Sequence, residues 1–251
     1  MSHYAGLGFE CLTPEALSEK VASPAVQRFN VEGYGPVSVS GLPRQGRVLL
    51  MHGAGAGHLS DFMRQFAATL AQNEVQVWAI DLPYMQQMNE QGKRRPPPPV
   101  LKSVACVARW YSLLAPLNSL PLWVGGKSMG GRLASLFASE QPCPGVIAVG
   151  YPFHPPKKPD VLRTEHFASL SCPMLVIQGE RDPFGTRAEV ESYSLPASVR
   201  VEWLAEGDHD FTPRKLSGLE QKVLIDEAAR IAASFVRAQG AEVGDTCSTL
   251  V

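Results

Sequence analysis

The stretch GKSMG at residues 126–130 has the pattern GxSxG and decides the fold of this chain. It follows the apolar run PLWVGG from residue 121, which predicts a buried strand, and it opens MGGRLASLFASE, which predicts a helix over 129–140. A serine at such a strand-to-helix turn projects its hydroxyl from the end of a sheet, provided its neighbours are small. The two glycines of the motif are small, so Ser128 is the candidate nucleophile. An ordinary glycine-rich turn is the alternative.

Further apolar runs lie on both sides of this motif, and most precede a segment with helical periodicity. That alternation predicts the α/β class, a doubly wound domain with a mostly parallel sheet and helices on both faces. One domain is expected over 1–251, with its core at about 28–238 and a frayed tail at 240–251. Helices are predicted from 61 and at 101–114, 129–140, 187–193 and 218–238. The predicted strands are RFNVEG near 28, VSVSG near 37, RVLLMHG from 47, VQVWAID from 75, PLWVGG from 121, GVIAVG from 145, PMLVIQG from 173 and VRVEWLA from 199, the first two as an antiparallel pair at the sheet's first edge.

Composition excludes several classes of protein. Lys plus Arg number 23 against 24 for Asp plus Glu, so the chain has no net positive field and nucleic acid is not an expected partner. No apolar run reaches the roughly 18 residues of a membrane span, and no export signal opens the chain, so a cytoplasmic location without a membrane partner is expected. The cysteines are odd in number and lack CxxC spacing, which favours reduced thiols: Cys11, Cys106, Cys143, Cys172 and Cys247.

A serine hydroxyl needs an imidazole as base and a carboxylate to orient that imidazole. In this kind of sheet the expected order is serine, acid, histidine. Asp182 in ERDPFG stands just past the strand PMLVIQG, and His209 in EGDHDF follows the last predicted strand. Asp182 is therefore the candidate acid, with a turn-capping aspartate and Glu180 as alternatives. His209 is the candidate base, with a solvated loop histidine as its alternative.

The developing oxyanion needs hydrogen-bond donors. One is the backbone N–H of the residue after the nucleophile, Met129. The second is expected from HGAGAGH, where Ala54 is the candidate. A phosphate-binding loop is the rival interpretation of these glycines, but GxxxxGK[ST] and GxGxxG are both absent there. His52 and His58 lack HExxH or paired carboxylates, so no metal is expected and His52 is interpreted as a structural histidine.

Two proline-rich stretches, 85–99 and 151–167, follow strand ends and are expected to line the mouth of the site as loops. Their positive charges motivate the hypothesis of an anionic substrate, against the simpler interpretation of solvated loop charge. The candidate substrate-binding residues in or beside these stretches are Arg94, Arg95, Tyr84 and Phe153. The positive charges are Lys93, Arg94, Arg95, Lys157, Lys158 and Arg163.

The motifs HGAGAGH, DLPYM with its basic proline-rich run, GGKSMGGR, GYPFHPP and GERDPFG together resemble the α/β-hydrolase superfamily from about residue 28 to 238. Within it the chain resembles the testis-expressed and NSL-complex-subunit hydrolase-like proteins and their bacterial relatives. It is also similar to dienelactone hydrolases and small carboxylesterases at the elbow and triad. The resemblance implies Ser128 as nucleophile, Asp182 as acid, His209 as base, and Met129 with Ala54 in the oxyanion hole. Only about twenty residues separate the strands near 150 and 173, too few for a helical cap.

These inferences predict a serine hydrolase that cleaves small to medium carboxylic esters or thioesters through an acyl-enzyme at Ser128, without a cofactor. Because members of the resembled subgroup serve in protein assemblies, a silent interaction module is one alternative. An acyltransferase is another. A protein partner is possible on this view, but nothing in the sequence indicates one.

Overall fold

A computed structural model describes residues 3–20 and 23–247 of the chain, without the side chains of 241–247. The strands of the described chain are β1 (Glu10–Leu12), β2 (Gln27–Val31), β3 (Gly35–Ser40), β4 (Gly46–Met51), β5 (Val75–Ile80), β6 (Leu122–Lys127), β7 (Val146–Val149), β8 (Met174–Gly179) and β9 (Val199–Leu204). The helices are α1 (Leu17–Lys20), α2 (Asp61–Gln72), α3 (Pro83–Gln91), α4 (Val100–Leu114), α5 (Met129–Glu140), α6 (Arg187–Val190) and α7 (Gln221–Cys247).

All these strands form one mixed sheet, in the order β1-β2-β3-β5-β4-β6-β7-β8-β9. Strand β3 runs antiparallel to both of its neighbours, whereas β4 to β9 are mutually parallel. The carboxyl ends of the parallel strands therefore meet at one edge of the sheet, where ligands bind in folds of this class. Strand β6 lies near the centre of the sheet and ends at Lys127, directly before Ser128.

The core lies on both faces of the sheet, because successive side chains of a strand point to opposite faces. In β4, Val48 and Leu50 join one cluster, while Leu49 and Met51 join the other. Helices α4 and α5 cover the second face, and α2 with α7 cover the first. A fully buried aliphatic side chain contributes about 1.5–3 kcal/mol, so these two clusters hold the sheet rigid beneath its ligand-binding edge.

The mostly parallel sheet with helices on both faces confirms the predicted fold class, and each predicted strand is present within two residues of its expected position. Between β7 and β8 lie residues 150–173 with one short 3₁₀ turn, Glu165–Ser169, so there is no large cap. The predicted antiparallel pair near 28 and 37 is also present. It does not form the sheet's edge, however, because β1 adds to β2 in parallel outside it.

Two local expectations were wrong. Residues 83–91 form helix α3, although most of this stretch was expected to be loop. Pro83 occupies its first turn, where proline is tolerated, and Gly92 ends it with φ of 63°. The helix expected at 187–193 ends at Val190. Helix α7 continues as far as Cys247 and residues 248–251 lie outside the described part, so the frayed tail at 240–251 stays a prediction.

One segment of the described chain, Val100–Leu117, is long and apolar enough by composition alone to cross a membrane. In the fold it contains α4, whose Val104, Val107, Trp110 and Leu114 are buried in the core cluster. Packing of these side chains in the core explains why the helix has an apolar face.

The described cysteines, Cys11, Cys106, Cys143 and Cys172, are free thiols. The sulfur atoms of Cys143 and Cys172 lie 3.8 Å apart without a bond between them. The side chain of Cys247 lies outside the described residues.

Candidate active site

Ser128 occupies a tight turn between β6 and α5. Its backbone has φ of 51° and ψ of −113°, a conformation that L-residues rarely adopt and that costs about 1–3 kcal/mol. The turn is possible because the backbones of strand and helix nearly touch. A Cβ atom at Gly130 would lie 2.4 Å from the Met51 carbonyl oxygen, and one at Gly126 would lie 2.5 Å from the Gly130 carbonyl carbon. The glycines of the GxSxG motif thus allow the close approach of strand and helix, as predicted from the sequence.

The structure brings Ser128, His209 and Asp182 together. His209 Nε2 lies 2.9 Å from Ser128 Oγ, and His209 Nδ1 lies 2.8 Å from Asp182 Oδ2. An ionised carboxylate only accepts hydrogen bonds, so Nδ1 carries the proton and Nε2 is free to accept one from the serine hydroxyl. An arrangement of serine, imidazole and carboxylate with this geometry can activate a serine hydroxyl.

Asp182 is fully buried and its orientation is fixed by further donors. The side chain of Gln178 donates to Asp182 Oδ2 at 3.0 Å, and the backbone N–H of Phe184 donates to Oδ1 at 2.9 Å. Gln178 is itself held at the end of β8, where its side chain exchanges hydrogen bonds with the backbone of Tyr151. The carboxylate therefore has little freedom to turn away from His209.

The loop after β4 lies against Ser128. A Cβ atom at Gly53 would lie 3.7 Å from the Ser128 Cβ, which is ordinary contact. The Gly53 carbonyl accepts hydrogen bonds from His52 Nδ1 at 2.6 Å and from the Tyr84 hydroxyl at 3.2 Å. In a planar trans peptide the C=O and N–H point in opposite directions, so the Ala54 N–H points away from these two side chains.

His52 supports this loop as a neutral imidazole. It is fully buried, donates to the Gly53 carbonyl through Nδ1 and accepts the Leu82 N–H at Nε2, 3.0 Å away. Burial lowers the pKa of His52, with a smaller opposing effect from the charge of Asp81. These two hydrogen bonds use both ring nitrogens, which fits the structural role predicted for this residue.

Met129 is the first residue of α5, a twelve-residue helix. N–H groups in the first turn of a helix have no partner within the helix and sit at the positive end of its dipole. The Met129 N–H therefore lies next to Ser128 in a position that favours negative charge.

A cavity of about 540 Å³ lies beside these groups. Its walls come from the loop after β4, the start of α2, the β6–α5 turn and the loops that carry Asp182 and His209. The lining residues are Gly53, Ala54, Gly55, Ala56, Ser60, Phe62, Met63, Lys127, Ser128, Phe184, His209, Asp210, Thr212 and Gln221.

The four candidate substrate-binding residues do not line this cavity. Arg94 and Arg95 are exposed to solvent. Tyr84 is buried beneath the loop after β4, where its hydroxyl also donates to the Ala54 carbonyl at 3.1 Å. Phe153 is fully buried in the core.

The two proline-rich stretches likewise contribute no residue to the lining. The inward packing of Tyr151 and Phe153 draws the second stretch into the core, and helix α3 takes up much of the first. The expectation that these stretches wall the site was therefore wrong for this cavity.

Sequence reasoning missed two residues of the site. Gln178 is a polar residue in the otherwise apolar run PMLVIQG, a pattern that signals a buried hydrogen-bonding role. Lys127 is a charged residue within the GxSxG motif, yet its side chain is only 8% exposed. Burial lowers the pKa of Lys127, against the opposing effects of Asp210, Asp182 and Asp208.

A second set of the same three residue types lies deeper in the fold. His58 Nε2 lies 3.0 Å from Ser38 Oγ, and His58 Nδ1 lies 2.9 Å from Asp81 Oδ1. The second contact lacks the alignment of a hydrogen bond. Asp81 also accepts hydrogen bonds from the Tyr4 hydroxyl at 2.7 Å and from the His58 backbone N–H at 2.7 Å.

Burial by itself raises the pKa of the Asp81 carboxyl. The close contact and charge of the His58 ring, the charge of His52 and the Tyr4 hydroxyl outweigh that effect and hold the pKa below its usual range. Asp81 therefore remains an anion inside the protein.

A protein-family model described as an alpha/beta hydrolase domain matches residues 44–237 of the chain. Among solved structures, a dienelactone hydrolase from Anabaena variabilis is 20% identical, over 83% of this chain and 96% of that one, with a TM-score of 0.63. An alpha-beta serine hydrolase homologue from Coxiella burnetii is 16% identical, over 82% and 98%, with a TM-score of 0.55. A lidless a/b serine hydrolase from Xanthomonas campestris is 18% identical, over 83% and 94%, with a TM-score of 0.52.

Proposed function

The chain belongs to the alpha/beta hydrolase family, and from this premise we propose that it is a serine hydrolase acting on carboxylic esters or thioesters. The observation that carries the proposal is the continuous hydrogen-bonded path from Ser128 Oγ through the His209 ring to Asp182, which ends beside a cavity. Family membership alone does not specify an activity, since related folds host many functions.

In the proposed first step, Ser128 Oγ attacks the carbonyl carbon of the substrate while His209 Nε2 takes its proton. The His209 ring then gives that proton to the leaving alcohol or thiol, and an acyl-enzyme ester remains on Ser128. In the second step water attacks the acyl group, again with His209 as base, and the acid product leaves. Asp182 stays ionised throughout and stabilises the imidazolium.

The carbonyl oxygen becomes negatively charged in each step and needs donors that are already in place. The Met129 N–H at the start of α5 is one proposed donor. The Ala54 N–H is the other, and the hydrogen bonds of Gly53 O with His52 and Tyr84 support this assignment because they fix the peptide that carries this N–H. On this account Tyr84 supports the oxyanion hole instead of contacting substrate.

Small to medium substrates are favoured by the site. The cavity holds a group of modest size, and residues 150–173 contain no large cap to enclose a long chain. Among its lining residues the charge of Lys127 is balanced by Asp210, so the lining offers no excess positive charge to an anionic ester. We therefore propose neutral esters, against the hypothesis of an anionic substrate drawn from the loop charges.

Hydrolysis of p-nitrophenyl esters of graded length and charge tests the proposal. We expect release of p-nitrophenol, an added acyl mass on the intact chain, and loss of both in Ser128→Ala. Rates should fall for long acyl chains and should not rise for anionic ones. A folded wild-type protein that neither hydrolyses these esters nor gains an acyl mass would favour the interaction module, and product ester formed with an added alcohol would favour an acyltransferase.

A further inference from the structure

We propose that the ion pair between Lys127 and Asp210 positions His209 for proton transfer by tying the residue before the nucleophile to the residue after the base. The inference rests on the proposed function, because His209 is taken as the base. It assigns a role to two residues outside the Ser128–His209–Asp182 set.

The pair joins two separate parts of the chain at the site. Lys127 ends β6, Asp210 lies in the loop after β9, and Lys127 Nζ is 3.2 Å from Asp210 Oδ1. The ammonium and the imidazole both approach Gly150, since a Cβ atom there would be 3.2 Å from Lys127 Nζ and 3.5 Å from His209 Nδ1. The ion pair therefore links the same two parts of the chain as the Ser128–His209 hydrogen bond, namely the end of β6 with its following turn and the loop after β9.

Burying the charged side chain of Lys127 costs free energy. Stability of the fold alone therefore does not explain why a charged residue stands at this position. Its side chain is 8% exposed, and removing an ammonium from water costs several kcal/mol unless it is paired. An apolar side chain of similar volume at such a position is often neutral or stabilising. Asp210 is 68% exposed even in the pair, so the buried cation is paired with a carboxylate that stays largely in contact with solvent. The burial thus favours a role for the charge in the site.

The loop around His209 is otherwise held by contacts within itself and by the loop after β8, from which the Arg181 side chain donates to two of its carbonyl oxygens at 2.9 Å. Asp208 Oδ1 accepts the N–H groups of Asp210 and Thr212 at 2.9 and 2.8 Å, and Gln221 donates to the Asp210 carbonyl at 2.8 Å. These bonds shape the loop, but they do not connect it to β6. Lys127 supplies that connection, so its loss should let the imidazole drift relative to Ser128 Oγ.

The pair also sets the electrostatic surroundings of His209. The charged groups around His209 are Asp182 in the loop after β8, which contacts the ring, Asp208 and Asp210 on either side of it in the chain, and Lys127 from β6, which pairs with Asp210. The ammonium disfavours the imidazolium that forms during the reaction, and the carboxylates favour it. Removing Lys127 and removing Asp210 should therefore shift the pH dependence in opposite directions, an effect that a purely structural contact would not produce.

Lys127→Met, Asp210→Asn and the double variant test the inference, with Lys158→Met and Asp160→Asn as controls at exposed positions. We expect each single variant to lower kcat about 10- to 100-fold while KM changes less than about threefold. The acid limb of the kcat/KM profile should move to higher pH in Lys127→Met and to lower pH in Asp210→Asn, by roughly half a pH unit or more. Lys127→Arg should restore part of kcat, and the double variant should cost no more than the worse single variant.

An NMR titration of the His209 ring in the same variants gives a readout that needs no substrate. Opposite shifts of its midpoint, with folding intact by circular dichroism, are expected whether or not an ester is cleaved. If the wild-type protein forms no acyl-enzyme, the proposed function fails while the titration still tests the pair. Equal kcat, unmoved pH profiles and an unmoved titration in both single variants would overturn the inference.

Discussion

Two Ser–His–Asp sets stand on this sheet, and their distances are almost the same. In one, the serine-to-histidine and histidine-to-aspartate distances are 2.9 and 2.8 Å, and in the other they are 3.0 and 2.9 Å. Ser128 follows a strand, has a strained backbone and lines a cavity. Ser38 lies within β3 and is 8% exposed. Distances among three side chains therefore do not define an active serine.

The two aspartates differ in the same way. Asp182 uses one oxygen for the aligned His209 bond, with Gln178 as its second partner there. Asp81 is shared among Tyr4, Asn89 and the backbone and ring of His58, and it ties the N-terminal segment and the loop after β4 to β5. We infer that the first set serves chemistry and the second holds the loop that carries the proposed oxyanion donor.

The largest contrast is expected between the two histidines. His209→Asn should lower kcat/KM by about 10³-fold or more, because Ser128 loses its base. His58→Asn should leave the rate per folded molecule within about tenfold. Ester hydrolysis normalised to the folded fraction measures both. Comparable losses in the two variants would remove the distinction between the sets.

The two aspartates should separate activity from stability. Asp81→Asn should lower the free energy of unfolding by about 3 kcal/mol, since it removes one partner of a buried ionic network. Asp182→Asn should reduce kcat by about 10⁴-fold, because it favours the wrong imidazole tautomer, whereas Asp81→Asn should leave the rate per folded molecule within about tenfold. Urea unfolding and ester kinetics on the same preparations check this. A fully stable Asp81→Asn protein would contradict the structural role.

Stability should fall as the pH drops below about 6.5. Burial lowers the pKa of His52, so the unfolded chain binds a proton there that the folded chain does not, at up to about 1.4 kcal/mol per pH unit. His166 adds to this, since burial and the charge of Arg132 lower its pKa to about 4. Asp81, whose pKa is lowered, loses its contribution only below about pH 4. Unfolding curves between pH 7 and 5 should therefore be less steep in pH for His52→Gln than for wild type. An unchanged slope would speak against a neutral, buried His52.

The smallest expected effect is that of one hydroxyl. Tyr4→Phe removes the 2.7 Å hydrogen bond to Asp81 and should cost about 1–2 kcal/mol without changing ester hydrolysis. Tyr111→Phe is the matched control, since that hydroxyl has no hydrogen bond to a described residue. Thermal unfolding compares the two, and equal melting temperatures would show that Tyr4 does not stabilise Asp81.

Local patterns predicted much of the fold and the place of the first set in it, because each residue of that set lies in the turn or loop that follows a strand. Ser128, Asp182 and His209 each come after an apolar run that reads as buried β-structure, so parallel strands had to bring them to one edge. The second set gives no such signal. Ser38 looks like any polar residue of an alternating strand, and its link to His58 and Asp81 arises only through tertiary packing.

The candidate substrate-binding residues were harder to predict, because their positions also depend on tertiary packing. Charge and proline content showed that 85–99 and 151–167 were unusual, but not that Tyr84 and Phe153 point into the protein. The direction of a loop depends on which side chain finds a core position, and one sequence does not reveal that. The roles proposed for the site residues, the cytoplasmic location and the absence of a membrane or nucleic-acid partner stay predictions.

Fluorophosphonate labelling with peptide mapping tests the central claim most directly, because the probe reacts only with an activated serine. Wild type and Ser38→Ala should each carry one phosphonate on Ser128, and Ser128→Ala should carry none. A label on any other residue, or labelling that persists in folded Ser128→Ala, would contradict the assignment of Ser128 as the nucleophile.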